Sequence, residues 1–400
     1  MTAKIMKIKQ IIFGLVLGST MAFTGCEAEY QPDLNRVFIN EAVISSVTKV
    51  KVDGVEDTYQ NITIALATPS ESDIKVRLVP DQAFVDQYNK ENGTNLLLLP
   101  EFKDEECTIP QYTMESEIVI PAGKVSARVP VAIHPFATPN DEQYAFAMAV
   151  EVVEGTVTPT PSSSQIMVIM DKPLIQWVPY CEARTIPQTT DNWANFKSKD
   201  WSIEFLAWKD SFDINNQCVI NVAVPGNEIY VRWGDVTQNG RYDFLQIKYN
   251  GSQIDVAGDN LWLTKNKWYH YALVYSQAAK TLTIYYDGKQ VAQMTSDCSE
   301  TEFAGFSVFS SGSEYFWGAG MMAQLRMWSR SLSAAEIEAN MLSAVNPSAD
   351  GLEGYWKMNE GWIDNLPSQY MFNCATKSLG TRDLKCQVNP TWKENVKFAL

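Results

Sequence analysis

Apolar residues occupy every second position in several short stretches of the first half of the chain. The clearest are NITIALAT at 61–68, DIKVRLVP at 73–80 and KVSARVPVAI at 124–133. A period of two places successive side chains on opposite faces of a strand. One stretch differs: PDQAFVDQYNKENGT has Asp81 placed to cap a helix and Gly93 placed to end it. The pattern predicts an antiparallel β-sandwich, from about 36 to 172, that contains one short helix.

The second half of the chain also shows strand patterns. WSIEFLAW at 201–208 alternates, and KWYHYALVYS at 267–276 and KTLTIYYDGKQV at 280–291 are rich in aromatic and β-branched residues. The last of them contains Asp287-Gly288, a dipeptide that favours a tight hairpin. These stretches predict a second β-rich domain and an all-β fold class.

A short helix is predicted within AQLRMWSRSLSAAEIEANM at 323–341, after a strand. Ser333 is placed as its N-cap and Glu336 follows three residues later, which is the spacing of a capping box.

Tryptophan is distributed unevenly along the chain. All 12 tryptophans lie at or after Trp177. The change coincides with VEGTVTPTPSSSQIMVIMDKP, in which proline, threonine and serine cluster before a last short strand. Two domains are therefore predicted, with the boundary near 173 and the second domain spanning 173–400.

The chain is acidic, with a formal net charge of −15. This charge repels phosphate backbones and no basic patch interrupts it, so nucleic acid is not expected as a partner. Beyond the N-terminus no apolar stretch approaches the roughly 20 residues that span a bilayer.

The N-terminus has the pattern of a signal sequence. Lys4, Lys7 and Lys9 precede the apolar run IIFGLVL at 11–17, and small residues follow it. FTGC at 23–26 resembles the lipobox of bacterial lipoproteins, although Phe23 replaces the usual leucine.

This resemblance implies a signal peptide at 1–25, a lipid on Cys26 and a tether at 26–35. Glu27 and Glu29 look like the export signal that sends Bacteroidetes lipoproteins to the outer face of the outer membrane. The lipid anchor would be the chain's only membrane contact. The alternative is an ordinary secretory leader that is removed together with Cys26.

Six further cysteines are spread widely, at 107, 181, 218, 298, 374 and 386. Their spacing suits neither a compact disulfide scaffold nor a zinc site. They are predicted to be mainly buried thiols, with Cys374 and Cys386 the favoured pair for a bridge.

Both halves resemble known families. DQYNKENGTNLLLLP, YTMESEIVIPAGK and YAFAMAVEVVEG resemble the uncharacterised immunoglobulin-like domain that opens many Bacteroidetes surface lipoproteins. The strand, hairpin and strand–helix stretches of the second half, followed by GLEGYWKMNEG, resemble the laminin-G-like branch of the concanavalin-type jelly roll. The resemblance implies glycan capture beside an outer-membrane glycan importer and surface glycosidases.

The residues give little support for an enzyme. Jelly-roll glycoside hydrolases of the retaining type carry a paired-carboxylate E-x-D-x-x-E pattern, which is missing from the sequence. Glu204 is a single acid opposite the apolar face of its strand and is interpreted as solvated. His134 is interpreted as a surface residue and His270 as part of a strand pattern. The sequence therefore predicts a binding protein.

Calcium is considered because many laminin-G-like domains bind it through loop oxygens. Asp235, Asn239 and Asp243 are candidate ligands, together with Asp255 and Asp259. The sequence favours the interpretation that these residues only form turns over the interpretation that they bind calcium. No other cofactor is predicted.

Aromatic residues in loops provide the candidate ligand site. Planar rings stack on the apolar faces of sugar rings, while nearby polar groups bond the hydroxyls. Four tryptophans fall on core positions of the resembled family, namely Trp201, Trp268, Trp328 and Trp356. The candidate carbohydrate-binding residues are Trp193, Tyr230, Arg232, Trp233, Tyr242, Trp262, Tyr315, Trp317 and Trp362. Two alternatives stay open, an adhesin that binds host or matrix protein and a diverged hydrolase that uses Glu204 or another acid.

Overall fold

A computed structural model describes residues 35–52, 56–103, 109–134, 142–182, 185–191, 193–310, 316–376, 382–398 and 400. The predicted signal peptide, Cys26, Cys107 and Tyr315 lie outside these residues. Strand makes up 52% of the described residues and helix 7%, which confirms the all-β prediction. Within the described part, no helix is both long and apolar enough to cross a membrane.

The first half forms a sandwich of two sheets. Sheet A has the strand order β10-β1-β3-β8-β6, and sheet B has the order β2-β11-β9-β4-β7 with β5 beside β9. The strands of sheet A are β1 (Asn35–Ile39), β3 (Thr58–Leu66), β6 (Tyr112–Met114), β8 (Ser126–Ile133) and β10 (Val157–Pro159). The strands of sheet B are β2 (Val47–Lys51), β4 (Ile74–Pro80), β5 (Leu96–Leu98), β7 (Glu117–Ile120), β9 (Gln143–Glu154) and β11 (Gln165–Asp171).

The alternating stretches supply the core of this sandwich. Ile62, Ile64, Val76 and Val131 are buried between the sheets, as their period of two predicts. The predicted helix is α1 (Gln82–Asn92): Asp81 Oδ1 accepts the N–H of Phe84 at 3.0 Å, and Gly93 ends the helix with φ of 64°.

The second half forms a larger sandwich. Sheet C has the order β22-β21-β20-β15-β25-β12-β31 with β26 beside β25, and sheet D has the order β19-β18-β17-β16-β24-β13-β30-β29. The strands of sheet C are β12 (Ile175–Glu182), β15 (Trp201–Lys209), β20 (Trp268–Ser276), β21 (Thr281–Tyr286), β22 (Lys289–Thr295), β25 (Ala319–Trp328), β26 (Leu352–Trp356) and β31 (Thr391–Lys397). The strands of sheet D are β13 (Pro187–Thr189), β16 (Gln217–Val224), β17 (Asn227–Trp233), β18 (Leu245–Tyr249), β19 (Ser252–Val256), β24 (Phe306–Val308), β29 (Tyr370–Met371) and β30 (Leu384–Cys386). Two small ribbons pair β14 (Phe196–Ser198) with β23 (Thr301–Phe303) and β27 (Trp362–Ile363) with β28 (Leu366–Pro367).

Sheet C is covered on both faces. Its inner face packs on sheet D through a core that includes Trp201 and Trp356. On its outer face Trp328 packs with Ile337 of α2 (Ala334–Asn340) and with Val345 in the loop that follows. The helix α2 begins at a capping box formed by Ser333 and Glu336, as predicted.

The helix α2 and the loop that follows it, which cover the outer face of sheet C, also contact the first sandwich. Thr94, after α1, forms an antiparallel bridge with Val345, and the Asn340 amide donates to the Asn92 carbonyl at 3.4 Å. Residues 35–400 form one compact unit. The first sandwich therefore lies on the sheet C side of the second.

The predicted bridge between Cys374 and Cys386 is wrong. Both thiols are free, with Cys374 Sγ donating to the Tyr355 carbonyl at 3.0 Å and Cys386 Sγ contacting Met371 Sδ at 3.7 Å. Burial raises the pKa of Cys374 to about 11 and that of Cys386 to about 12, so neither is a reactive thiolate near neutral pH.

Candidate functional site

A row of side chains crosses the outer face of sheet D, one from each of its eight strands. The strand registers place each member directly opposite the next. In order across the sheet the members of this cross-strand row are Gln253, Lys248, Tyr230, Asn221, Ser307, Gln188, Lys385 and Tyr370. The residues are half-exposed or exposed, so the row forms a solvent-facing polar and aromatic track.

Strand alternation explains why these side chains face outward. Ile247 and Tyr249 flank Lys248, and both are buried in the core between sheets C and D. Phe306 and Val308 flank Ser307 in the same way. Since directly opposed residues of antiparallel strands share a face, the whole row lies on the side away from the core.

A groove of about 670 Å³, here called the Tyr370 groove, lies at one end of the row. Tyr370 is 37% exposed, and its ring stacks with Phe372 at a centroid distance of 6.1 Å and an interplanar angle of 9°. The groove is also lined by Asp191, Asp383, Gln188 and Gln387. The Gln387 amide donates to Gln188 Oε1 at 3.3 Å. It therefore combines an aromatic ring with amide and carboxylate hydrogen-bonding groups.

An exposed hairpin leaves the domain beside this groove. In β27 and β28, Trp362 is 56% exposed and Leu366 is 68% exposed. At its base the Ser368 N–H donates to the Gly361 carbonyl at 2.9 Å, and Glu360 Oε1 accepts the N–H of Phe372 at 2.8 Å. The hairpin is thus fixed to the chain segment that carries Tyr370 and Phe372.

Comparison with known proteins identifies the second sandwich. Residues 185–338 match the laminin-G family model of the concanavalin A-like lectin/glucanases superfamily. The second sandwich is a laminin-G-like domain. Residues 30–157 match a second family model, which describes an N-terminal domain. No curated protein matches the chain.

Solved structures are similar to the whole or to part of this chain. A Bacteroides ovatus protein, provisionally named a carbohydrate binding protein, is 21% identical with a TM-score of 0.55, over 91% of this chain and 99% of its own. A heptameric SAP-like pentraxin from Limulus polyphemus is 12% identical with a TM-score of 0.31, over 46% of this chain and 96% of its own. EndoBT-3987 from Bacteroides thetaiotamicron, solved with a Man5GlcNAc product, is 14% identical with a TM-score of 0.27, over 34% of this chain and 30% of its own. The first of these shows the shared fold.

A buried network supports the row of the laminin-G-like domain near its other end. The Arg232 guanidinium donates to Gln246 Oε1 at 2.9 Å, to Asn216 Oδ1 at 2.7 Å and to Asp235 Oδ2 at 2.5 Å. The Tyr230 hydroxyl donates to the same Asn216 oxygen at 3.0 Å. Arg232 was expected to bind ligand, but it is buried and bonded to protein groups, so it supports Tyr230 from within the sheet.

The calcium candidates lie next to this network. Burial favours a raised pKa for Asp235, but hydrogen bonds from Gln246 and the Val236 N–H, together with Arg232, lower that pKa below its usual value. Arg241 contacts both oxygens of Asp243, at 3.1 and 2.5 Å, and Asn239 adopts the left-handed conformation after a short 3-10 helix. Among the described residues, no group of three His, Cys, Asp or Glu side chains could hold a metal ion. Calcium binding stays the less favoured of the two interpretations.

Two of the predicted aromatic platforms pack inside the domain. Trp233 is 1% exposed and stacks on Phe309 at 6.0 Å, so it is a core residue and the prediction that it binds ligand is wrong. Trp193 is half-buried and stacks on Trp356 at 6.2 Å. A large aromatic side chain can either fill the core or bind a ligand. A loop-like neighbourhood in the sequence therefore did not distinguish core tryptophans from ligand-binding ones.

Three other predicted residues lie at the Trp233 end of sheet D. The Arg241 guanidinium stacks 3.7 Å from the centroid of the Trp262 ring, while Tyr242 packs closely against Gly234. The Trp317 side chain is 59% exposed, and the backbone N–H of Trp317 donates to Gln217 Oε1 at 2.6 Å. The described members of the predicted set are therefore not brought together: Tyr230 joins the row and Trp362 lies beside the Tyr370 groove, but the other described members lie elsewhere. Sequence reasoning missed Tyr370 altogether.

The interpretation of Glu204 as a solvated acid is wrong. Glu204 is fully buried beneath α2, and its Oε1 accepts from Arg326 at 3.1 Å and from the Trp328 indole at 3.2 Å. His270 Nε2 lies 3.5 Å from the other carboxylate oxygen. Burial favours a raised pKa, but Arg326 and His270 hold the pKa of Glu204 well below its usual value. A buried carboxylate whose pKa is held below its usual value is unsuited to act as a general acid near neutral pH.

Glu360, at the base of the hairpin, has the opposite character. Its Oε2 is sealed from solvent and has no hydrogen-bond partner among the described residues. Burial raises the pKa of Glu360 to about 7. The folded protein therefore binds a proton at this carboxyl more tightly than the unfolded chain does.

We expect this proton to make stability depend on pH. Because the pKa is raised on folding, the free energy of unfolding should fall as the pH rises from about 4.5 to about 7, by up to roughly 3 kcal/mol. Urea unfolding at a series of pH values, with wild type and Glu360→Gln, measures this effect. Glu360→Gln should flatten the profile in that window, and an unchanged profile would show that Glu360 titrates normally.

Proposed function

We propose that this protein binds oligosaccharide or polysaccharide on the outer face of sheet D of its laminin-G-like domain. One observation carries the proposal: an unbroken cross-strand row of polar side chains ends at a groove that contains the exposed Tyr370 ring. Aromatic rings contact the C–H faces of sugars, and amides, hydroxyls and carboxylates bond sugar hydroxyls. The lectin/glucanase superfamily match and the provisional name of the Bacteroides ovatus protein support this choice of ligand class.

The mechanism is capture without bond cleavage. Each side chain of the row offers one or two hydrogen bonds, which are individually worth little in water. Several such contacts along one polymer, or several domains on one polymer, raise retention by effective concentration. The row contains no carboxylate, and Glu204 is sealed beneath α2. These features favour a binding protein over a hydrolase.

We further propose that Cys26 carries a lipid and holds the protein on the outer face of the outer membrane. The lipobox-like FTGC and the acidic Glu27 and Glu29 support this placement. The first sandwich contacts the helix and loop that cover sheet C, on the side opposite the proposed binding face. In this setting the protein would work beside a glycan importer and surface glycosidases. Palmitate labelling that is lost in Cys26→Ser tests the anchor.

Native gels that contain single polysaccharides test the binding function. The purified protein should be retarded by at least one polysaccharide and should release no reducing sugar from it. Release of reducing sugar would support the hydrolase alternative. Normal migration with every glycan, combined with binding to matrix proteins, would support the adhesin alternative.

A further inference from the structure

We infer that the ligand is an internal stretch of an uncharged polysaccharide, about seven sugar units long, that lies across the strands of sheet D. The inference deepens the proposed function and rests on it. It is based on the length of the row, on the cavity at each of its two ends and on the charged side chains beside it.

The length follows from strand spacing. Eight strands at roughly 4.8 Å from one to the next give a row about 34 Å long. The repeat of an extended pyranose chain, one ring and its linking oxygen, is similar in length to this inter-strand spacing. A polymer lying along the row would therefore advance by about one sugar unit from each strand to the next, so the seven spacings between the eight strands correspond to about seven units.

Each end of the row has a cavity. Tyr370 belongs to the groove of about 670 Å³ already described. At the opposite edge strand a second cavity of about 250 Å³, here called the Gln253 cavity, is lined by Glu228, Lys248 and Gln253. Gln253 is exposed, as is Tyr370. A site for a single terminal sugar needs only one such cavity, whereas two cavities joined by a continuous row suit a chain that extends across the whole sheet.

Each cavity beside the row holds a lysine together with acidic side chains, two lysines against three acids in all. Lys385 shares the Tyr370 groove with Asp191 and Asp383, and Lys248 shares the Gln253 cavity with Glu228. The chain as a whole is strongly acidic. A polyanionic glycan would meet no net positive field, and a polycation would meet a lysine in each cavity, so an uncharged polymer fits both ends.

The test uses fragments of two to eight units, prepared by partial acid hydrolysis of the polysaccharide that retards the purified protein in native gels. Calorimetry should show affinity that rises with each added unit up to about seven and then levels off. The double variant Lys248→Ala, Gln253→Ala should weaken binding of the six- to eight-unit fragments by five- to tenfold and leave the two- and three-unit fragments unchanged. Tyr370→Ala should weaken binding at every length.

The matched control is Lys289→Ala, Gln290→Ala, which removes an exposed lysine and glutamine from the edge strand β22 of sheet C. It should change no affinity. Capping the reducing ends of the fragments, or raising the salt from 50 to 500 mM, should change affinity by less than twofold.

Affinity that is already maximal at two or three units, with no effect of the Lys248 and Gln253 changes at any length, would overturn the inference and leave the proposed function standing. Strong weakening by salt would overturn the uncharged class. Gels in which no polysaccharide retards the protein would instead overturn the proposed function itself.

Discussion

Replacing Tyr370 by alanine should raise the Kd for a retained polysaccharide by roughly 30-fold, which corresponds to about 2 kcal/mol. Tyr370 is the exposed aromatic member of the groove, and Phe372 stacks beside it, so its ring is held in place before a sugar arrives. An ordered ring loses little rotamer freedom on binding, which is why tyrosine often dominates the energy of such contacts. Calorimetry with the retained polysaccharide measures the effect.

Two variants separate ring stacking from other effects. Tyr370→Phe keeps the ring and should retain most of the affinity. Tyr59→Ala removes a tyrosine that is 67% exposed on the first sandwich and should leave binding unchanged. Equal affinity of Tyr370→Ala and wild type, with both folded, would place the ligand site away from the Tyr370 groove.

Replacing Glu204 by glutamine should lower the free energy of unfolding of the laminin-G-like domain by about 3–5 kcal/mol. The change leaves the Arg326 guanidinium buried without its counter-charge, since Glu204 and Arg326 are each only about 1% exposed. Arg326 also donates to the carbonyl of Asn340 at the end of α2, so the cover of sheet C should loosen as well. Urea unfolding followed by tryptophan fluorescence reports this domain, because every tryptophan of the chain lies at or after Trp177.

The control for burial is Glu302→Gln. It breaks the Lys197–Glu302 pair, which has an N–O distance of 2.7 Å but is exposed to solvent, so the loss of stability should be much smaller than in Glu204→Gln. The double variant Glu204→Leu, Arg326→Met removes both charges and should recover part of the lost stability. A small loss in Glu204→Gln, no larger than that in Glu302→Gln, would show that Arg326 is compensated by other groups.

Glu204 shows where strand periodicity stops being informative. The alternation of WSIEFLAW correctly predicts which face of β15 points into the sandwich. It carries no information about the second face, which is covered by α2 and by residues more than 100 positions away. Arg326 is 122 positions from Glu204, so the pair that makes burial of the acid possible cannot be read from local sequence.

The candidate site shows the same limit. The strands of sheet D that pair at the Tyr370 end come from widely separated parts of the chain, with Ser307 opposite Gln188, Gln188 opposite Lys385, and Lys385 opposite Tyr370. The alternation of the exposed Tyr370 with the buried Met371 indicates a strand, but it does not predict which strand pairs with it. Conversely, Trp233 has loop-like neighbours in sequence yet fills the core. Fold class and hairpins follow from local pattern, whereas the site depends on register between distant strands.

The cross-strand row also bears on how recognition by this domain can evolve. Each side chain of the row stands on a different strand, and the backbone hydrogen bonds beneath it do not depend on its identity. A substitution at one position therefore alters the contact with one part of a ligand and leaves the scaffold and the other contacts in place. Selection can change the preference of such a surface one position at a time, without a compensating change elsewhere in the fold.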